Sequence, residues 1–229
     1  MKVLTDDILG EVVVRHNHNS RHLRASVAPN GKLTITVPRR TPDFAVKAFL
    51  RGSRSKLKEL LNSARAGQTY SDGTKIGKLH SISVRFGTKL SVSTLRSQII
   101  VTLPESMDIN DNEVQSIIRT EVIKALRKEA KNYLPKRLAV IASKFGYKYQ
   151  SVRLPHAGSR WGSCSSNGTI SLNIALMKLP HELIDYVLVH ELAHTKQMNH
   201  SSNFWDLVGE MDSNYRQHKK ALKAFQPIC

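Results

Sequence analysis

His190-Glu191-Leu192-Ala193-His194 is the stretch on which the reading of this chain turns. Two histidines four residues apart on a helix lie on one face, about one turn apart, so both imidazoles reach a single ion. The glutamate after the first histidine is rotated off that face. It sits close enough to touch a metal-bound water without being a ligand. In this H-E-x-x-H arrangement, zinc lowers the pKa of a water and the glutamate takes its proton. The alternative is an amphipathic helix with surface histidines. The residues upstream argue against it, because Ile184, Tyr186, Val187, Leu188 and Val189 carry the helix through a core. Buried His and Glu in such a helix are costly without a partner such as a metal.

Downstream, His200 offers a third nitrogen, and catalytic zinc usually takes three protein ligands. A turn at Asn199 folds His200 back toward the other two, and Ser201-Ser202 can cap a new helix opening with Asn203-Phe204-Trp205. The spacing of His190, His194 and His200 equals that of the metzincins, but Gln197 stands where that pattern needs glycine. Glu210 is the alternative third ligand if the arrangement is that of the gluzincins.

Working outward, Ser159 to Asn173 is the second informative stretch. Asn167-Gly168 favours a tight hairpin turn. Beyond it Ile170, Leu172 and Ile174 point one way, with Thr169, Ser171 and Asn173 pointing the other. A strand with one polar face just before the metal helix suits an extended substrate held by backbone pairing. Asn173 can orient substrate or water, and Arg160 can stabilise an oxyanion or grip a negative group. Each is equally readable as a structural hydrogen-bonding residue. Asp185, on the metal helix five residues before His190, reads as a hydrogen-bonding partner behind the metal ligands or as a surface acid, and His156 as an additional polar group in the site. Cys164 reads as a small core residue.

The first 105 residues read as a β-rich module with one long helix, and residues 106–229 as the catalytic domain. Val12, Val13, Val14, then Leu33, Ile35 and Val37 behind a Pro29-Asn30-Gly31 turn, are strands. Thr41-Pro42-Asp43 opens a helix to about Ala64, with Phe44, Ala48, Phe49, Leu57, Leu60 and Leu61 as its buried side. The run Arg15-His16-Asn17-His18-Asn19-Ser20-Arg21-His22 reads as a polar hairpin turn rather than a metal site. Asp72-Gly73 and a hairpin around Ser93–Arg96 punctuate further strands, and Pro104-Glu105-Ser106 is the expected hinge. A helix capped within Asp108–Asp111 follows. Pro135 should kink or split it, and Gly146 should end it.

With 229 residues there is ample length for a core. The 35 basic against 18 acidic residues give a net charge of +17. Residues 1–105 hold 18 of the basic and 7 of the acidic side chains. Such an excess attracts polyanions, so nucleic acid joins the expected partners through the basic surface. No apolar run reaches the ~18 residues that would span a bilayer, so no membrane partner is expected. Two cysteines and an early Asp6-Asp7 pair fit a reducing cytoplasm. The oligomeric state leaves no mark in the sequence.

Taken together, Arg160-Trp161-Gly162-Ser163-Cys164-Ser165, Ile170-Ser171-Leu172-Asn173, Ile184-Asp185-Tyr186-Val187, the H-E-x-x-H helix, Asn199-His200-Ser201 and Phe204-Trp205 resemble the YgjP-like zinc metallopeptidases, relatives of the SprT-like peptidases. The resemblance is dense over about residues 150–212 and looser through Arg24 to Arg40. It implies an α+β fold, a β-rich N-terminal region followed by a minigluzincin-like catalytic domain. It also implies His190, His194 and His200 as zinc ligands and Glu191 as general base. Ala157-Gly158 and Lys56-Leu57 depart from it, where members carry a basic residue and a tryptophan. The expected substrate is a peptide or protein. An anionic nucleoside triphosphate is the alternative on the same site, because a phosphoanhydride is also open to an activated water.

Overall fold

A computed structural model describes residues 2–28, 32–66 and 69–227, with the side chains of 62–66 left aside. The Pro29-Asn30-Gly31 turn and Cys229 lie outside the described residues. The protein is mixed α+β and divides by its contacts into two compact units, Met1–Tyr70 and Ser71–Cys229.

In the first unit β1 (Lys2–Asp6), β2 (Gly10–Asn17), β3 (Arg24–Val27) and β4 (Leu33–Pro38) form a sheet in the order β1-β2-β4-β3. Alternation along β2 and β4 sends Val12, Val14, Leu33, Ile35 and Val37 to one face, all buried. Two helices cover that face, α1 (Asp43–Gly52) and α2 (Arg54–Ala66), through Val46, Leu50, Leu57 and Leu61. The sequence predicts one helix here. The structure breaks it at Gly52-Ser53, where Ser53 leaves helical geometry at φ −114° and ψ 11°. Leu57 and Leu61 are buried as expected, and Val46 and Leu50 join them at helical spacing in place of Phe44 and Ala48. Phe44 falls off that stripe and stays 74% exposed.

The second unit opens with β5 (Lys75–Ile76), β6 (His80–Phe86), β7 (Ser91–Leu95) and β8 (Gln98–Leu103), ordered β5-β6-β8-β7. This repeats the topology of the first sheet strand for strand. In each, the first two strands pair antiparallel, the second and fourth parallel, and the third and fourth antiparallel. The repeat is legible in side chains once the register is known: Leu33, Ile35, Val37, Pro38 on β4 answer to Ile99, Val101, Leu103, Pro104 on β8 and beyond it.

From this sheet the chain enters α3 (Asn112–Phe145), with Asp111 as its N-cap residue and Gly146 ending it in the left-handed region at φ 67°. Pro135 neither splits nor ends it. One missing backbone bond costs about 3 kcal/mol, and burial of Leu134, Leu138 and Ile141 on either side, roughly 1.5–3 kcal/mol each, offsets it.

The expected boundary at residue 105 is not where the contacts divide, and the reason lies in α3. Its buried Glu129 accepts from the backbone N–H groups of Lys78 (2.7 Å) and Leu79 (3.1 Å) and pairs with His80 Nδ1 (2.6 Å). The β5–β6 connection wraps so closely round this carboxylate that a Cβ on Gly77, at φ +59°, would lie 2.3 Å from Oε2. The second sheet is thereby fastened to the catalytic helices.

Beyond α3 a three-stranded sheet of β9 (Ser151–Arg153), β10 (Gly162–Cys164) and β11 (Thr169–Leu172) runs in the order β10-β11-β9. A short 3-10 helix, Ile174–Lys178, leads to α4 (His181–Ala193), α5 (Ser202–Met211) and α6 (Tyr215–Leu222). Among the described residues no helix is long and apolar enough to cross a membrane.

Candidate metal centre

Helix α4 is buried along nearly its whole length, with Leu183, Ile184, Val187, Leu188, Val189 and Leu192 in the core. That burial fixes where its last turn points. His190 and Glu191 lie in that turn, and His194 follows as the C-terminal cap residue, still in right-handed helical geometry. The chain then turns back on itself. His194 Nδ1 donates to the carbonyl of Gln197 (3.1 Å), which leaves Nε2 to face the cleft. Asn199 Oδ1 accepts from Ser201 N (3.2 Å) and from Gln197 Nε2 (2.7 Å), closing the turn expected at Asn199. Ser201 then stands as the N-cap residue of α5.

This turn returns His200 to the helix. The ligand-capable nitrogens of His190, His194 and His200 all lie within 4.8 Å of one another. His190 Nε2 and His200 Nε2 are 3.2 Å apart, close to the ~3.3 Å edge of a tetrahedral site with bonds of about 2.0–2.1 Å to zinc. The three imidazoles pack on Phe204, whose ring centre lies 4.9, 4.5 and 4.8 Å from theirs. Phe204 is fully buried. The sequence marks it as a residue opening a helix and as part of the family resemblance, without assigning it this role. Its place on the first turn of α5, shortly after His200, carries it beneath the rings. Trp205 stacks on His200 at 5.8 Å, and Lys219 sits 3.9 Å above the Trp205 ring.

The electrostatics suit a cation. Burial, with help from His194, His200 and Lys219, pushes His190 down to about 3, and burial also lowers His194. Neutral imidazoles are the form that binds a metal. Burial drives Glu191 the other way, up to about 8, and Arg160 partly opposes it. Glu191 is 5% exposed, and its Oε2 has no hydrogen-bond partner among the described residues. A buried carboxyl with a free oxygen beside three converging nitrogens is a poor structural choice and a suitable neighbour for a cation.

The cleft holds about 280 Å³ and is lined by Gly162, Ser163, Cys164, His190, Glu191, His194, Met198 and His200. Gly162 lies so close to Glu191 that a Cβ there would meet Oε1 at 2.6 Å and Cγ at 2.7 Å. Cys164, read from sequence as a core residue, is half-buried on this lining, and burial, then Glu191, raises its thiol pKa.

The other expected residues are placed differently. Asn173 is 1% exposed, and its amide nitrogen donates to the carbonyls of Ala157 (2.6 Å), Arg160 (2.9 Å) and Pro227 (3.0 Å). Its Oδ1 accepts from Ala175 N (3.0 Å). Asp185 is held by Arg137 through two bonds of 2.8 and 2.6 Å and lines a separate hollow beside α3. Arg160 is exposed, and its charge reaches Glu191. Glu210 is outside the histidine group, and His156 feels Arg127 and Lys178 rather than the cleft.

A family model described as YgjP-like, metallopeptidase domain, matches residues 21–225. The chain belongs to the YgjP-like metallopeptidase family, and it is a zinc-dependent hydrolase of the peptidase class. Two solved structures are similar in part. The metallopeptidase zymogen of Pyrococcus abyssi abylysin is 28% identical, over 40% of this chain and 93% of that one, with a TM-score of 0.36. The metallopeptidase zymogen of Methanocaldococcus jannaschii jannalysin is 18% identical, over 39% and 93%, also with a TM-score of 0.36. No curated protein matches the sequence significantly.

Proposed function

We propose that this protein hydrolyses peptide bonds, with His190, His194 and His200 holding zinc and Glu191 acting as general base. Zinc, when bound, supplies a Lewis acid that polarises a carbonyl and makes a water more acidic. Glu191 takes the proton of the attacking water at Oε2, the oxygen left without a partner, and delivers it to the departing amine nitrogen. Burial raises the carboxyl's affinity for a proton, which favours taking one from the water and holding it until the amine departs. The observation that carries this reading is the free Glu191 oxygen in a cleft shared with three converging imidazoles.

The edge strand supports a peptide as substrate. β10 pairs with β11 on one side, and its three residues line the cleft. An extended chain can add to it by backbone hydrogen bonds, with side-chain choice left to the cleft walls. A triphosphate fits this cleft less well, because no lysine or arginine is among its lining residues. Arg160 supplies the positive charge that reaches Glu191 and is the residue a nucleotide reading depends on.

The test offers unfolded proteins and nucleoside triphosphates to the zinc-loaded protein and to Glu191→Gln, read by mass spectrometry. New peptides that vanish in the variant are expected. Glu191-dependent loss of triphosphate with intact proteins would overturn the peptidase reading in favour of a nucleotide hydrolase.

A further inference from the structure

The first unit carries a basic, polar hollow that hydrolysis in the second leaves without a use. Arg24 and Thr36 stand on its lining, and strand register sets Arg15 on the same face of the sheet beside it. Arg15 on β2 and Arg24 on β3 both pair with Thr36 on β4, so the three side chains stand abreast across adjacent strands. Val12, Val14, Leu33, Ile35 and Val37 take the helix-covered face, which puts Arg15, Thr36 and Arg24 on the opposite one. With strands about 4.8 Å apart, the two arginines are separated by roughly 10 Å.

The β2–β3 connection closes the hollow at one end. Asn17 organises it, accepting from Ser20 N at its carbonyl (3.3 Å) and from Asn19 N at Oδ1 (3.0 Å). This brings Arg21 and His22 beside Arg24, around a space of about 590 Å³ whose remaining walls are polar or small. Arg15, Arg21, His22 and Arg24 are all exposed.

Charge balance leaves these arginines free to act. Three of the unit's acids are already engaged: Asp6 by Arg54 (2.9 Å), Glu11 by Lys32 (2.6 Å) and Asp43 by Lys2. Arg15, Arg21 and Arg24 have no ion pair among the described residues, and no carboxylate lines the hollow. The lining also has no Phe, Tyr or Trp to form a stacking platform for successive bases and no long apolar side chain to enter a bilayer.

We propose that this face binds the sugar–phosphate backbone of a nucleic acid, without reading its bases. The arginines grip phosphate oxygens in forked pairs, and Thr36, Asn17, Asn19 and Ser20 add neutral hydrogen bonds. Two arginines ~10 Å apart span phosphates that rise about 3.4 Å each along a strand. The inference stands independently of the reaction at the zinc site.

The experiment measures binding of the full chain to a fluorescent DNA duplex of arbitrary sequence between about 50 and 200 mM salt. Wild type is compared with Arg15→Ala/Arg24→Ala and with Lys128→Ala/Lys131→Ala, which removes equal charge from the exposed side of α3. The arginine variant should bind at least tenfold more weakly, with the salt slope reduced by about 2, while the lysine variant stays near wild type. In the wild type, duplex should slow amide exchange over residues 15–26. Absence of binding at low salt, equal loss in both variants, protection confined to other segments, or a preference for anionic vesicles with the same arginine dependence would each overturn the proposal.

Discussion

Gly162 is the residue whose role is least visible in its own chemistry. It precedes Ser163-Cys164 on the cleft wall, and the Glu191 carboxyl rests against its Cα. Gly162→Ala therefore forces Glu191 to move while leaving the three histidines untouched. We expect peptidase activity to fall by about 10²-fold or more, the scale on which a misplaced catalytic group is felt, with zinc content unchanged by atomic absorption. Zinc loss in that variant would show that Gly162 serves the ligands instead. For the ligands themselves, His200→Ala should lose bound zinc and Glu210→Ala should keep it; the reverse result would reassign the third ligand. Asn173 illustrates a different kind of residue. Its four hydrogen bonds knot the loop before β10 to the C-terminal segment and to Ala175. Asn173→Ala strands three carbonyls and should destabilise folding by about 2 kcal/mol or more, seen as a lower midpoint in thermal unfolding. His156 supplies a pH dependence away from the metal. Burial holds it neutral down to about 4 in the folded chain, below its usual 6.5, and its Nε2 is buried without a partner among the described residues. The unfolded chain takes up a proton first, so this contribution to stability is complete above pH 6.5 and is lost as pH falls toward 4. His156→Gln should flatten the fall in thermal midpoint over that window; an unchanged slope would place the acid sensitivity elsewhere.

At the scale of elements, the decisive contact joins the β5–β6 connection to α3. Gly77 has a positive φ and lies against Glu129, so Gly77→Ala is strained in its backbone and obstructed in space. The expected result is a marked fall in thermal midpoint, by several degrees, accompanied by weaker zinc retention, because α3 is the wall against which α4 packs. A variant as stable as wild type would mean that the connection can shift away from Glu129 at little cost. Helix α4 and the turn after it are legible in the sequence for a simple reason: local rules govern both. An apolar helix, an Asx turn and a serine at the next helix start are written in consecutive residues. The Asn167-Gly168 hairpin is legible on the same ground, and Gly168 does sit at φ +78°. Glu129 is not legible. Its partners are about fifty residues earlier, and a lone glutamate on a long helix reads as solvated.

At the scale of the whole molecule, the two sheets share one topology, yet only the second feeds a helix that leads to a catalytic half. All three histidines, Glu191 and the elements that position them lie in Ser71–Cys229. We expect a fragment of those residues to bind one zinc per chain, measured by metal analysis after gel filtration; failure would assign the first unit a part in building the site. The candidates for the chemistry were determined by sequence alone: His190, Glu191, His194 and His200, the polar hairpin before them, and the basic excess of the first half. They follow from spacing within a few turns, and spacing of that kind survives in any fold that keeps the helix. Tertiary structure decided the rest. It set the Phe204 floor, the contact of Gly162 with Glu191, the engagement of Asn173 and Asp185 away from the cleft, and the boundary at Tyr70. Each of these depends on which distant segment arrives beside a residue, and hydrophobic burial and strand register across the whole chain, rather than any local pattern, choose that neighbour.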